Sequence, residues 1–205
     1  MSQRFLIDPP MPIATAASPR IVLVEDDPVD LEKIRVELAK FDLEKLDDVT
    51  RYRELVELLG REEYDVVSID WELHGVEKGG DILQLLVRSY PEVARVVFTQ
   101  HTKRFQEAMS LGADACIFKR VDGDLTEYTE VMKKAARVGF ARHIGERLNK
   151  LGQADLPSLP VGSIELDEQM ERALYDKARQ VALQYQADGK DDGGLRELLI
   201  RRGWW

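Results

Sequence analysis

Short apolar runs that alternate with segments of helical spacing constrain the fold of this chain most strongly. The first run, residues 21–24, is rich in β-branched side chains and is followed directly by three acids. An unbroken β-branched run is typical of a strand that a parallel sheet buries on both faces. After it, Asp27 and Pro28 are predicted to cap and begin a helix, because aspartate accepts backbone N–H bonds and proline suits the first helical position.

The alternation of strand and helix occurs five times along the chain. Later strands are predicted within residues 43–49, 65–70, 95–99 and 115–119, and the intervening helices are predicted to stop near Gly60, Pro91 and Gly112. This order is typical of βαβ units with right-handed crossovers. The chain is therefore predicted to have an α/β fold, with a doubly wound parallel sheet flanked by helices.

Polar side chains stand where the predicted strands end: Glu25, Asp26, Asp70, Thr99 and Lys119. Ligands of doubly wound sheets bind outside the carboxyl ends of the strands, so these residues form the candidate site. Three carboxylates gathered at one edge repel one another unless a hard cation neutralises them. Oxygen-only ligation predicts that this cation is Mg²⁺ or a similar ion.

The same residues suit phosphoryl chemistry. A carboxylate held beside a divalent ion can attack phosphorus, and Asp70 is the best placed to do so. Lys119 would neutralise charge on the phosphoryl oxygens, and Thr99 would donate a hydroxyl hydrogen bond to one of them. The pattern therefore predicts capture of a phosphoryl group on an aspartate.

Four motifs in one order carry a resemblance to a known family. They are VLVEDDP around Glu25 and Asp26, VVSIDWEL around Asp70, VVFTQ around Thr99 and GADACIFK ending at Lys119. With a predicted strand before each, residues 20 to about 140 resemble a CheY-like response-regulator receiver domain of bacterial two-component systems.

The resemblance implies a five-stranded sheet in the order 2-1-3-4-5 and transfer of a phosphoryl group to Asp70 from a histidine kinase or phosphotransfer protein. It also implies dependence on Mg²⁺. Asp26 and Asp70 would bind the ion directly, together with the main-chain carbonyl of Glu72, and Glu25 would bind it through water. Asp27 would lie outside this ligand set.

Several positions depart from the family pattern. Arg120 stands where a proline is usual, Cys116 replaces an aromatic residue that reports phosphorylation, and Gln100 replaces a small residue. His74 stands where proline is frequent, and the loop after Asp70 suggests a one-residue insertion. We expect Asp70 to remain able to accept a phosphoryl group. We expect the way in which its phosphorylation state is transmitted to the rest of the protein to differ from the family pattern.

Composition limits the partners and the compartment. The net charge of −9 and pI of about 5.0 argue against direct binding of nucleic acid, which lysine and arginine drive. A single cysteine, Cys116, fits a reducing compartment, and no apolar run approaches the length of a membrane span. The prolines and Asp8 interrupt the first twenty residues too often for a signal peptide. A cytoplasmic protein without membrane insertion is predicted.

The chain is predicted to divide into a flexible leader (residues 1–19), a receiver domain (20–140), a helix extension and linker (141–163) and a helical appendage (164–205). In the appendage, a helix over residues 164–186 is predicted to bury Met170, Ala173, Leu174, Val181 and Tyr185, and a second helix spans residues 195–200. The appendage could fold back, dimerise or dock on a partner protein. Folding back is favoured, because the stripe and two tryptophans would otherwise be exposed.

Three functions are compatible with these features. The first is a phosphoacceptor with no enzymatic output, which signals through a downstream protein partner, with a homodimer left open. The second is a receiver-shaped adaptor that acts without phosphorylation. The third is a phosphatase with an aspartyl intermediate, which is disfavoured because the second acid, two residues after Asp70, is Glu72 rather than aspartate.

Overall fold

The computed structural model describes residues 18–74, 78–153 and 155–205, and five parallel strands form its single sheet. They are Arg20–Val24 (β1), Lys45–Val49 (β2), Val66–Asp70 (β3), Ala94–Thr99 (β4) and Ala115–Phe118 (β5). Their order is β2-β1-β3-β4-β5, so the predicted topology is confirmed. Of the predicted leader, residues 1–17 lie outside the described residues.

Seven helices surround and extend this sheet within the described residues. They are Pro28–Leu38 (α1), Tyr52–Leu59 (α2), Gly79–Ser89 (α3), Phe105–Ser110 (α4), Thr126–Lys150 (α5), Glu168–Ala187 (α6) and Leu195–Arg201 (α7), with a short 3₁₀ turn at Thr102–Arg104 before α4. The apolar side chains of α1 and α5 pack on one face of the sheet, and those of α2, α3 and α4 pack on the other. Both faces are therefore covered, as the unbroken apolar runs predict.

The start of α1 follows from its sequence. The Asp27 carboxylate accepts hydrogen bonds from the backbone N–H groups of Val29 and Asp30, at 2.7 and 3.2 Å, and Pro28 is the first helical residue. Asp27 is thus the predicted N-cap.

Helix α5 continues past the sheet, as its helical propensity predicts. It runs for 25 residues and passes the amino edge of the sheet at Gly139, where an added Cβ would lie 1.9 Å from the Asp65 carbonyl oxygen. Only glycine permits this close approach. The predicted domain limit at residue 140 falls inside this continuous helix.

The C-terminal helices fold back onto α5, the arrangement favoured from the sequence. Leu174 and Tyr175 of α6 and Leu198 of α7 share a buried cluster with Phe140 and Ile144 of α5. The ring of Trp204 lies 4.4 Å from that of Tyr175, so the C-terminus is part of this packing. None of the helices in the described residues is long and apolar enough to cross a bilayer.

The predicted start of α6 was wrong, and its predicted buried face is confirmed in part: Leu174 and Val181 are buried, and Met170 and Tyr185 are half-buried. Its N-cap is Asp167, whose side chain accepts from the N–H groups of Gln169 and Met170, so the helix begins at Glu168 rather than at residue 164. Ala173 is exposed, whereas Glu171 is buried. Arg137 of α5 pairs with Glu171 at 2.5 Å, and this ion pair turns the acid inward.

Candidate functional site

Three carboxylates meet where β1 and β3 end. Glu25 and Asp26 directly follow β1, and Asp70 is the last residue of β3, which lies beside it. One carboxylate oxygen of each residue lies within 4.8 Å of those of the other two. Glu25 and Asp70 are buried and Asp26 is half-buried, so water screens these negative charges poorly.

Lys119, which follows β5, reaches into this cluster. Its Nζ lies 2.7 Å from Glu25 Oε2, 3.1 Å from Asp70 Oδ2 and 3.4 Å from Asp30 Oδ2. Burial alone would lower the pKa of Lys119, but the charges and hydrogen bonds of Asp70 and Glu25 raise it, so the side chain is an ammonium ion. One positive charge thus faces several negative ones. Sequence reasoning missed Asp30, because an acid in a first helical turn is common without such a contact.

Burial of Glu25 in this pocket shifts its titration. Burial raises the pKa of Glu25 to about 7, although the hydrogen bond and charge of Lys119 oppose that shift. Near neutral pH, part of the population therefore carries a proton on Glu25. A divalent cation bound to the carboxylates would displace this proton.

The residues present fit Mg²⁺. Asp26 Oδ1 is buried and has no hydrogen-bond partner among the described residues. Its other oxygen accepts from the backbone N–H of His74 at 2.7 Å and lies 3.1 Å from His74 Nδ1. A buried, unpartnered carboxylate oxygen beside two further carboxylates is a suitable set of hard ligands for this ion. Ligation by the Glu72 carbonyl and water-mediated ligation by Glu25 stay predictions.

Thr99 ends β4 and is fully buried. Its Oγ1 lies 2.8 and 2.9 Å from the two carboxylate oxygens of Glu72 and accepts from the backbone N–H of His101 at 3.0 Å. Because the hydroxyl carries one proton, Glu72 occupies the donor that Thr99 would offer to a phosphoryl oxygen. Sequence reasoning assigned only the carbonyl of Glu72 and missed this role of its side chain.

The positions that depart from the family pattern differ in their exposure. Gln100 and Arg120 are exposed, and Arg120 pairs with Asp122 at 2.8 Å. Cys116 is half-buried, and burial raises the pKa of its thiol to about 11, which fits the prediction of a packed residue rather than a redox sensor. Part of the loop with the suggested insertion, residues 75–77, lies outside the described residues.

Comparison with known proteins extends this picture. Residues 21–130 match the family described as response regulator receiver domain. No curated protein matches the chain. The response regulator TrrA from Thermotoga maritima, solved in complex with Mg²⁺-BeF, is 21% identical with a TM-score of 0.51, and the match covers 57% of this chain and 98% of that one.

Two further solved structures have a fold similar to that of this chain. A signal receiver domain of an HD domain-containing protein from Pseudomonas fluorescens Pf-5 is 17% identical with a TM-score of 0.55, over 65% of this chain and 97% of that one. A CheY-like receiver domain from Methylobacillus flagellatus is 20% identical with a TM-score of 0.50, over 58% and 99%. At these identities the likeness shows the fold.

Proposed function

Because this chain belongs to the response regulator receiver domain family, we propose that Asp70 accepts a phosphoryl group from a histidine kinase or a phosphotransfer protein. One observation carries the proposal: the Lys119 ammonium lies 3.1 Å from Asp70 Oδ2, in a pocket that also gathers Glu25 and Asp26. A nucleophilic carboxylate, a fixed positive charge and an unsatisfied demand for a cation are what phosphoryl capture requires.

In the transfer, a carboxylate oxygen of Asp70 forms a bond to phosphorus while the P–N bond of the donor histidine breaks. Lys119 stabilises the charge on the phosphoryl oxygens. Thr99 donates to one of these oxygens after its hydroxyl leaves Glu72. The products are an acyl phosphate on Asp70 and a free imidazole on the donor.

Mg²⁺ is the proposed cofactor. Asp26, Asp70 and the Glu72 carbonyl would hold it directly, and Glu25 would hold it through water. When bound, it supplies positive charge to the incoming phosphoryl oxygens and lowers the repulsion among the carboxylates. The complex of TrrA with Mg²⁺-BeF supports this choice by family resemblance.

The proposed output is contact with a downstream protein rather than with DNA, in the cytoplasm, with no enzymatic activity beyond self-phosphorylation and autodephosphorylation. The net charge of −9 supports it, since DNA binding rests on clustered lysine and arginine. A solved relative, a LuxR-family regulator from Staphylococcus aureus, is described as DNA-binding. A binding assay with duplex DNA at low salt is therefore the direct check, and salt-sensitive binding would refute this part of the proposal.

The test of the phosphoacceptor uses acetyl phosphate and intact-protein mass spectrometry. The full chain is expected to gain one phosphoryl group when Mg²⁺ is present and none when it is chelated. Asp70→Asn should abolish the gain, whereas Asp122→Asn, a matched change at an exposed site, should not. No phosphoryl gain by the unaltered chain would refute the proposal, as would equal gain by Asp70→Asn.

The hydrogen bond from Thr99 to Glu72 favours a second candidate function, that of an adaptor that acts without phosphorylation. The Thr99 hydroxyl is bound to Glu72, and Cys116 stands in place of an aromatic residue. An acyl phosphate on Asp70 would therefore cause little conformational change at surfaces far from the site. Hydrogen exchange separates the two candidates. A signalling receiver should change its exchange rates beyond the site after phosphorylation, whereas an adaptor should not.

A further inference from the structure

A second group of metal-ligating side chains lies at the opposite end of the receiver. Glu92 stands between α3 and β4, and His143 and Glu146 are three residues apart on α5. That spacing places both side chains on one face of the helix. A ring nitrogen of His143 and one carboxylate oxygen of each glutamate all lie within 4.8 Å of one another.

The hydrogen bonding of His143 determines which nitrogen is left to bind. His143 is 3% exposed, and its Nε2 lies 2.8 Å from the carbonyl oxygen of Tyr64. A carbonyl can only accept, so Nε2 carries the proton, and in the neutral ring Nδ1 keeps a lone pair. No described residue donates a hydrogen bond to Nδ1.

An imidazole lone pair and two carboxylates that converge in this way repel one another unless a cation lies between them. The bond from Nε2–H to a backbone carbonyl is also the arrangement that orients a metal-bound histidine and makes its other nitrogen a better ligand. The burial of His143 fixes that orientation before any ion arrives.

We propose that His143 Nδ1, Glu92 and Glu146 bind a divalent transition ion of the Zn²⁺ type, with water as the fourth ligand. Imidazole together with carboxylates suits Zn²⁺, whereas the all-oxygen pocket at Asp70 suits Mg²⁺. The bound ion would fasten the part of α5 that extends past the sheet to the turn before β4. This proposal does not depend on phosphorylation of Asp70.

Arg142 and Lys150 both lie near the cluster, and they differ in how firmly they are held. Arg142 is buried and engaged by Asp114 and by the Pro160 carbonyl, at 2.7 and 2.6 Å. The Lys150 ammonium lies 2.8 Å from Glu146 Oε1 on a side chain that is 71% exposed. Lys150 is therefore the competitor that Zn²⁺ displaces, and Lys150→Ala is expected to tighten binding.

The test is calorimetric titration of the full chain with Zn²⁺ in excess Mg²⁺, which occupies the Asp70 pocket. One equivalent should bind, and Glu92→Gln and Glu146→Gln should each weaken the affinity at least about tenfold. These carboxylates are only partly buried, so both variants are expected to fold, which circular dichroism checks. The control is His74→Ala with His101→Ala, which removes the other two of the three histidines and should leave the affinity unchanged.

Nitrogen-15 spectra of the histidine rings give a second measurement. Zn²⁺ should shift Nδ1 of His143 while Nε2 keeps its proton. The proposal is overturned if the unaltered chain binds no Zn²⁺ or if both glutamine variants bind as tightly as it does. Loss of binding in the His74 and His101 variant would also overturn it, because the ion would then lie beside Asp26.

Discussion

Acidic side chains are buried at both ends of the parallel strands, the carboxyl edge and the amino edge of the sheet. The cations that neutralise these acids differ between the two edges. At the carboxyl edge, the buried ammonium of Lys119 faces Glu25, Asp70 and the nearby Asp30, and the exposed Lys33 pairs with Asp30 as well. At the amino edge, the buried Asp114 accepts from the guanidinium groups of Arg95 and Arg142, with nearest distances of 3.0 and 2.7 Å, and from the Gly162 backbone N–H at 2.9 Å.

Asp65, the other buried acid at the amino edge, accepts from the Arg20 backbone N–H at 2.8 Å and pairs with Arg202 near the C-terminus. Much of the neutralising charge at this edge comes from outside the receiver match at residues 21–130: Arg142 lies in the extension of α5 and Arg202 follows α7. Buried acids thus form a ligand site where cations are too few and an attachment point where arginines neutralise them.

The largest expected effect comes from breaking the amino edge. Asp114→Asn keeps the shape of the side chain and leaves Arg95 and Arg142 buried without a counter-charge. We expect a loss of about 3–5 kcal/mol in the free energy of unfolding, measured by urea denaturation, because removing one partner of a buried ion pair strands the other. The hydrogen bonds of Arg142 and Arg95 hold the pKa of Asp114 below its usual range although burial would raise it, so the acid is ionised at neutral pH.

Asp122→Asn is the matched control, since Asp122 pairs with the exposed Arg120 and accepts from the Asp124 backbone N–H. This substitution should change the free energy of unfolding by no more than about 0.5 kcal/mol. Equal, small losses in both variants would show that the amino edge does not depend on its ion pairs and would remove the contrast between the two edges.

At the carboxyl edge, the buried Glu25 should make the stability of the folded chain depend on pH. Without metal, the pKa of Glu25 is raised to about 7 from an ordinary 4.5. Between these values the folded chain keeps a proton that the unfolded chain has lost, so this contribution to stability is complete below the lower value. It should fall as pH rises through the window, by on the order of 1 kcal/mol per pH unit.

Urea denaturation across that pH range, in the presence of a chelator, measures the slope. Glu25→Gln mimics the protonated side chain and should remove the contribution of this group, and excess Mg²⁺ should reduce it by favouring the ionised carboxylate. If the unaltered chain and Glu25→Gln have the same slope, Glu25 keeps no extra proton in the folded chain over this pH range, and the prediction is wrong.

The sequence predicts the sheet and most of the acidic pocket because local rules determine them. The β-branched runs define the strands, and parallel pairing then brings the residues after each strand to one edge, which places Glu25, Asp70 and Lys119 together. The contacts of Asp30 and of the Glu72 side chain could not be predicted, since they depend on which rotamer a long or flexible side chain adopts across a loop.

The burial of Glu171 in α6 could not be predicted for a related reason. The predicted buried face of this helix excluded Glu171 as a charged residue, but Arg137 pairs with that acid from 34 positions earlier in the chain. A hydrophobic pattern does not record a long-range ion pair that carries an acid into the interior.

The smallest expected effect concerns Thr99. Glu72→Ala frees the Thr99 hydroxyl and removes a negative charge from the path of the phosphoryl donor, whereas Glu72→Gln removes the charge but keeps an oxygen that accepts from Thr99. Labelling by acetyl phosphate should therefore become about two- to fivefold faster in the alanine variant, a difference of up to about 1 kcal/mol in the barrier, and change less in the glutamine variant.

A Thr99→Ala background isolates the hydrogen bond. If Glu72 acts by occupying the hydroxyl, Glu72→Ala should accelerate labelling only where Thr99 is present, so the two substitutions should not be additive. Equal acceleration in both backgrounds would assign the effect to charge alone. The excess of acids at the carboxyl edge would then hinder phosphorylation directly, and the hydrogen bond between Thr99 and Glu72 would have no part in the rate.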